Sequence, residues 1–131
     1  MAKYVYPAIF TPEDSGYSIR FPDLDSCYTS AQTLESGMEM ANDVLCLTLY
    51  DLEEDGGAIP SPTPIHSVQT SGHEFVTLVS CDTIEYRKFY DNKAVKKTLT
   101  IPAWLNTMAE REEINFSMTL QAALKQTLGI Q

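Results

Sequence analysis

The last part of the chain, from Asn92 onward, holds more apolar side chains than so short a segment can bury by itself. Residues 95–101 alternate in polarity, which predicts a strand, and Pro102 suits the first turn of a helix because proline has no amide hydrogen. Two helical patterns follow, one around Leu105 and Met108, the other from Phe116 to Leu128 after the capping residue Asn115 and before Gly129. About 38 residues of this kind bury too little surface alone, and a single strand leaves its backbone groups unpaired. We therefore predict that two copies pair these strands antiparallel and interlock their helices as a homodimer.

The predicted strand carries two rows of side chains. Lys97, Leu99 and Ile101 form one row, and Lys96, Thr98 and Thr100 form the other. A two-stranded ribbon fits the major groove of DNA, where the second row can reach base edges. The backbone amides at Asn115, Phe116 and Ser117, at a helix N-terminus, suit DNA phosphates. The alternative is a strand that joins the main sheet and is followed by two packing helices.

The first ninety residues predict a different fold. Alternating apolar segments indicate an antiparallel meander of three strands, a helix of about five turns, a fourth strand and a short helix. The predicted segments are residues 4–10, 17–21, 27–30, 34–52, 75–79 and 83–91. Pro7 favours an edge position or a bulge for the first strand. The fold class is therefore α+β, in β-β-β-α-β-α order, with residues 1–91 and 92–131 as separate domains.

Acidic residues are concentrated in the first half of the chain. The net charge is −9, and residues 1–70 hold eleven carboxylates against Lys3 and Arg20, whereas residues 71–131 are balanced. This asymmetry indicates two surfaces with different partners, or an ordinary solvated acidic face. No apolar run approaches the roughly 20 residues that span a bilayer and no secretory leader is visible, so we expect a soluble, cytoplasmic protein without a membrane partner. Three widely spaced cysteines predict small core residues rather than disulfides, a metal site or a cofactor.

Several motifs together resemble the HicB antitoxins of bacterial HicA–HicB toxin–antitoxin pairs, and the resemblance covers nearly the whole chain. The N-terminal motifs are residues 6–10, 16–18, 21–24 with Cys27, 33–52, Gly56 and 59–60. The C-terminal motifs are residues 92–102, 115–117, 120–121 and 123–124, which are similar to the ribbon-helix-helix subgroup. Ser26 and Glu113 stand where the family often has glycine, so we expect these two loops to be shaped differently.

The resemblance implies an N-terminal domain with a partial ribonuclease-H-like fold that binds and blocks a small HicA-type toxin ribonuclease. It also implies a C-terminal ribbon-helix-helix domain that dimerises, binds operator DNA and represses the toxin–antitoxin operon. The sequence leaves open whether dimers assemble into tetramers, and it reveals neither the operator nor the RNA preference of the toxin.

Catalysis is not expected, because the centre of the first strand, Tyr4 to Phe10, carries no carboxylate where a ribonuclease H site would need one. The acidic surface is better interpreted as an imitation of RNA charge that attracts a basic toxin. Candidate toxin-binding residues on what we take to be adjacent turns are Glu13, Asp14, Asp23 and Asp25. Two other functions remain open, a transcriptional repressor that senses a small ligand and has no toxin partner, and a degraded nuclease.

Overall fold

The computed structural model describes residues 2–131, and the chain divides after Lys93 into two compact units. The N-terminal unit is a four-stranded antiparallel sheet in the order β3-β2-β1-β4, with helices α1 and α2. Its elements are β1 (Lys3–Glu13), β2 (Gly16–Arg20), β3 (Tyr28–Ala31), α1 (Leu34–Asp55), a 3₁₀ turn (Ile65–Ser67), β4 (Phe75–Asp82) and α2 (Thr83–Tyr90). The predicted meander, long helix, fourth strand and short helix are therefore confirmed.

The predicted edge position of β1 is wrong, because β1 lies between β2 and β4. The amide of Thr83 donates to the carbonyl of Ala2, so the backbone groups of Ala2 point toward β4. Because backbone groups alternate between the two sides of a strand, every second residue of β1 after Ala2 also points toward β4. By that alternation the nitrogen of Pro7 faces the β2 side, where β2 has already ended at Arg20, the partner of Ile9. A central strand therefore accommodates proline without losing a ladder hydrogen bond.

Helix α1 covers one face of the sheet and has well-defined ends. The side chain of Thr33 accepts a hydrogen bond from the Ser36 amide, and the Ser36 side chain accepts one from the Thr33 amide, so the two residues form a capping box. Gly56 ends the helix in the left-handed region at φ 67°. The core between helix and sheet consists of buried side chains from β1, β2, the loop after β2, α1 and β4, and it includes all three cysteines.

Two glycines allow close approach within this unit. Gly16 has φ +143°, and an added Cβ there would overlap the carbonyl oxygen of Ala31 on β3. Gly37 on α1 lies so near the sheet that a Cβ would meet the ring of Phe10 at 3.2 Å. Both positions keep the helix and the edge strand tight against the central strands.

The C-terminal unit consists of residues 94–102, which form no regular element, α3 (Ala103–Arg111) and α4 (Phe116–Leu128). The strand predicted for residues 95–101 is not formed within one chain, because no segment among residues 2–131 pairs with it. The alternative, in which this segment joins the main sheet, is wrong for the same reason. The caps of α4 are as predicted, with the Asn115 side chain accepting from the Met118 amide and Gly129 at φ 70°.

The loops at Ser26 and Glu113 are shaped as glycine would shape them. Ser26 has φ 56° and Glu113 has φ 55°, both in the left-handed region. The expectation that the missing glycines change the shape of these two loops stays a prediction. The two residues hold a backbone conformation that costs about 1 kcal/mol for a residue with a Cβ.

Candidate DNA-binding and protein-binding surfaces

The C-terminal unit has no buried residue, although it is rich in large apolar side chains. A groove of about 610 Å³ runs between the segment before α3 and the two helices, and Leu105, Leu120 and Ala123 contribute to its walls. The exposed large apolar residues of this unit are Val95, Leu99, Ile101, Trp104, Leu105, Met108, Ile114, Phe116, Met118, Leu124 and Leu128. A folded unit that leaves this much apolar surface in water is stable only if something else covers it.

Only one of the two rows of side chains in residues 95–101 lines the groove. Lys97, Leu99 and Ile101 line it, whereas Lys96, Thr98 and Thr100 do not. All members of the second row are exposed. The row chosen from the sequence as DNA-facing is thus absent from the apolar groove.

The N-terminus of α4 offers free amides in the same unit. The Asn115 side chain accepts the amide of Met118 at 3.0 Å, and the Asn115 carbonyl accepts that of Thr119 at 3.0 Å. Within residues 2–131 the amides of Phe116 and Ser117 have no acceptor, as expected for the first turn of a helix. Phe116 and Ser117 both line the groove, and their backbone amides are the candidates for phosphate contact.

The four carboxylates predicted for toxin binding do not form one cluster. Glu13 and Asp14 lie at the β1–β2 turn, and Asp23 and Asp25 lie beyond the opposite end of β2. The five residues of β2 hold the two pairs roughly 17 Å apart, so the four carboxylates lie on successive turns but not side by side, and their role in toxin binding stays a prediction. Asp23 also has a structural role, because its carboxylate accepts hydrogen bonds from the amide and hydroxyl of Thr63 at 3.0 and 2.5 Å.

A stronger acidic surface lies on α1, which the sequence analysis did not single out. The helix carries seven carboxylates and no basic residue, and Glu35, Glu39 and Asp43 follow one another at steps of four on its exposed side. That spacing was the available signal in the sequence. Because carboxylates at steps of four repel one another, this arrangement opposes helix stability.

Glu53, near the C-terminal end of α1, has a structural role instead. Its side chain is 5% exposed, and it accepts hydrogen bonds from the Tyr4 hydroxyl at 2.8 Å, the Thr83 hydroxyl at 2.9 Å and Arg87 at 3.1 Å. Burial raises the pKa of the Glu53 carboxyl, but hydrogen bonds from groups that include these three outweigh burial and lower the pKa to about 2. Burial and the hydrogen bond to Glu53 raise the pKa of Tyr4 to about 12. This carboxylate therefore ties α1 to β1 and α2.

Within residues 2–131 no three His, Cys, Asp or Glu side chains are grouped so that they could hold a metal ion. None of the helices in that range is long and apolar enough to cross a bilayer.

Comparison with known proteins gives consistent results. Residues 6–123 match the model of the HicB_like antitoxin of bacterial toxin-antitoxin system. Antitoxin HicB 1 of Photorhabdus laumondii is 32% identical over 92 residues, which are 67% of this chain and 56% of that protein. The chain thus spans little more than half the length of this curated relative.

Solved structures agree with the sequence comparison. A toxin–antitoxin complex from Streptococcus pneumoniae contains a chain that is 28% identical, with a TM-score of 0.62 over 95% of this chain and 99% of that one. A chain of the HicA3 and HicB3 toxin–antitoxin complex is 21% identical, with a TM-score of 0.52 over 60% of this chain and 99% of that one, which shows a shared fold. Because the family model covers most of its length, the chain belongs to the HicB-like antitoxin family of bacterial toxin–antitoxin systems.

Proposed function

We propose that this protein is an antitoxin that binds and inhibits a HicA-type mRNA-cleaving toxin and represses its own operon by binding operator DNA. In this proposal the N-terminal unit neutralises the toxin, with a partial ribonuclease-H-like fold that has lost catalysis, and the C-terminal unit binds DNA. Both tasks belong to the bacterial cytoplasm, where mRNA and the operon are found. The main observation in support of this proposal is the open apolar groove of the C-terminal unit, with Lys96, Thr98 and Thr100 outside it.

The groove supports a ribbon-helix-helix homodimer. A second copy would place its own residues 95–101 antiparallel to this segment, which would satisfy the unpaired backbone and cover Leu99 and Ile101. The ribbon then presents Lys96, Thr98 and Thr100 from both chains to the major groove. The amides of Phe116 and Ser117 are suited to flanking phosphates.

The N-terminal unit supports toxin binding through its charge. Residues 2–93 hold fifteen carboxylates and five basic side chains. A ribonuclease must present basic residues to RNA phosphates, so an acidic surface accelerates its capture. The similarity to a chain of the toxin–antitoxin complex from Streptococcus pneumoniae favours a toxin partner over a small ligand.

Separation of the two activities tests the proposal. The double variant K96A/T98A should abolish operator binding and leave inhibition of the HicA-type toxin intact, because the two surfaces lie on different units. The matched control T127A changes an exposed residue near the end of α4, outside the groove, and should leave both activities unchanged. If the double variant loses neither activity, the ribbon does not read DNA; if the toxin encoded next to this gene neither copurifies nor is inhibited, the antitoxin assignment fails.

Toxin binding should also weaken as salt increases, since screening reduces attraction between exposed charges. Binding that is insensitive to ionic strength would contradict the electrostatic part of the proposal while leaving inhibition itself intact.

A further inference from the structure

Strand β4 forms one edge of the sheet, and most of its outward backbone groups have no partner within residues 2–131. The strand has eight residues, and from Phe75 to Cys81 it contains no charge, no proline and no glycine. Natural edge strands are usually short, charged, bulged or covered, because free backbone groups pair with other chains. The opposite edge, β3, follows that rule with four residues, whereas β4 does not.

The register identifies which backbone groups are free. Thr83 donates to Ala2 across the β1–β4 ladder, so alternate residues of β4, namely Thr77, Val79 and Cys81, direct their amides and carbonyls to β1. The groups of Val76, Leu78 and Ser80 consequently point away from the sheet. Of these, the Ser80 carbonyl accepts a hydrogen bond from the Asn42 side chain at 2.6 Å. Within residues 2–131 the amides of Val76, Leu78 and Ser80 and the carbonyls of Val76 and Leu78 have no partner.

The surroundings of this edge are acidic. The bond from Asn42 places that turn of α1 over the edge, and Glu39 and Glu35 lie three and seven residues earlier, on the same side of the helix. Asp43 follows Asn42, and Asp82 ends the strand itself. No basic residue of α1 offsets these carboxylates.

Two occupants could pair with the outer edge of β4, a second copy of this chain or a basic segment of another protein, and the net charge of the N-terminal unit decides between them. Pairing of β4 with β4 of a second copy would bring together two units that each hold fifteen carboxylates and five basic side chains. An extended basic segment meets attraction instead of repulsion. Its main chain can pair with Val76 and Leu78 while its Lys or Arg side chains reach Glu39 and Asp43.

We propose that the outer edge of β4 is a strand-addition site, at which a basic edge strand of the toxin extends the sheet of the N-terminal unit. This inference rests on the proposed antitoxin function and names the surface through which it acts. Pairing would consume the free backbone groups of Val76 and Leu78 and position basic toxin residues under α1, where they are withdrawn from RNA.

Amide-resolved hydrogen exchange of the full chain tests this directly. Alone, the amides of Val76, Leu78 and Ser80 should exchange fast and those of Thr77 and Val79 slowly. In complex with a catalytically inactive form of the HicA-type toxin encoded beside this gene, the three outward amides should slow by roughly 100-fold, as expected for amides newly paired in a ladder. An alternating pattern of this kind is specific to strand pairing, since side-chain contact alone would not select every second amide.

A pair of variants separates backbone pairing from side-chain contact. Leu78→Pro removes the outward amide, and Leu78→Ala shortens the same half-exposed side chain but keeps the amide. The proline variant should weaken toxin binding by about 10- to 100-fold relative to the alanine variant. Circular dichroism of the tyrosines, all seven of which lie in residues 1–93, verifies the fold, and operator binding verifies the C-terminal unit.

Each outcome is decisive. Unprotected outward amides in a complex that still forms and inhibits would overturn the edge site and leave the antitoxin function standing. Absence of any complex would overturn both. Protection already present in the free chain, increasing with its concentration, would assign the edge to a second copy and overturn the toxin assignment.

Discussion

The buried carboxylate of Glu53 should supply much of the acid sensitivity of the N-terminal unit. Its pKa is about 2 in the folded protein against an ordinary value of 4.5. A folded-state pKa below the unfolded value means that the unfolded chain takes up a proton first as the pH falls, so stability decreases with decreasing pH. The contribution is complete above pH 4.5 and disappears toward pH 2.

The magnitude follows from the difference in pKa. At about 1.4 kcal/mol for each pKa unit, the shift corresponds to roughly 3 kcal/mol at neutral pH, and about half of it is lost by pH 3. Glu53→Gln removes the charge but keeps the size of the side chain. We therefore expect a loss of about 3 kcal/mol at neutral pH and a shallower decline of stability toward acid.

Two controls isolate the effect. Glu54→Gln removes a carboxylate from the same Arg87, but the Glu54 side chain is 48% exposed, so its loss should cost less than about 1 kcal/mol. Glu74, whose pKa is also about 2 owing first to its hydrogen bond with Arg20, remains in both variants and retains its own acid dependence.

The assay is urea unfolding at several pH values, followed separately in the two units. All seven tyrosines lie in residues 1–93, whereas the one tryptophan, Trp104, lies in the C-terminal unit, so tyrosine circular dichroism reports the N-terminal unit. If Glu53→Gln and the parent protein show the same midpoint at neutral pH and the same decline toward acid, the reasoning is refuted.

Three further predictions follow from single positions. Gly16→Ala should destabilise the N-terminal unit by about 2 kcal/mol or more in urea unfolding, because its Cβ overlaps the Ala31 carbonyl and its φ is +143°; an unchanged midpoint would contradict the strained hairpin. Glu113→Gly should stabilise the C-terminal unit by about 1 kcal/mol, read from the fluorescence of Trp104, because glycine adopts φ 55° without strain; a lower midpoint would contradict this. Leu120→Asp should convert the proposed homodimer to monomer in analytical ultracentrifugation, since Leu120 lines the groove, whereas the exposed control Thr127→Asp should not; a dimer that survives Leu120→Asp would exclude the groove as the interface.

Helix ends were predictable because one residue determines each of them. Thr33 and Asn115 accept backbone amides with their own side chains, and Gly56 and Gly129 adopt the left-handed conformation. These interactions span three or four residues, so the local sequence contains all the information they need. The strand order is different, since it depends on pairing between β1 and β4, which are more than sixty residues apart.

The same limit applies to the candidate toxin-binding carboxylates. The bonds between Asp23 and Thr63 join segments forty residues apart, so composition could not reveal that Asp23 has a structural task. The five residues of β2 separate Glu13 and Asp14 from Asp25, although the two turns follow one another in the sequence. Row membership in residues 96–101 was predictable, because alternation along a segment is again a local property.

The end of α3 shows why Glu113 holds a left-handed backbone conformation although it has a Cβ. The amide of Ile114 donates to the carbonyl of Ala109, and that of Glu113 donates to the carbonyl of Glu110, the two hydrogen bonds of a Schellman motif. Helix α4 ends with the same pair of bonds, but with Gly129 in the left-handed position that Glu113 occupies here. Two backbone hydrogen bonds of about 1 kcal/mol each outweigh a conformational cost of about the same size as one of them. The motif therefore selects the conformation, and the identity of the residue decides only how much stability is left.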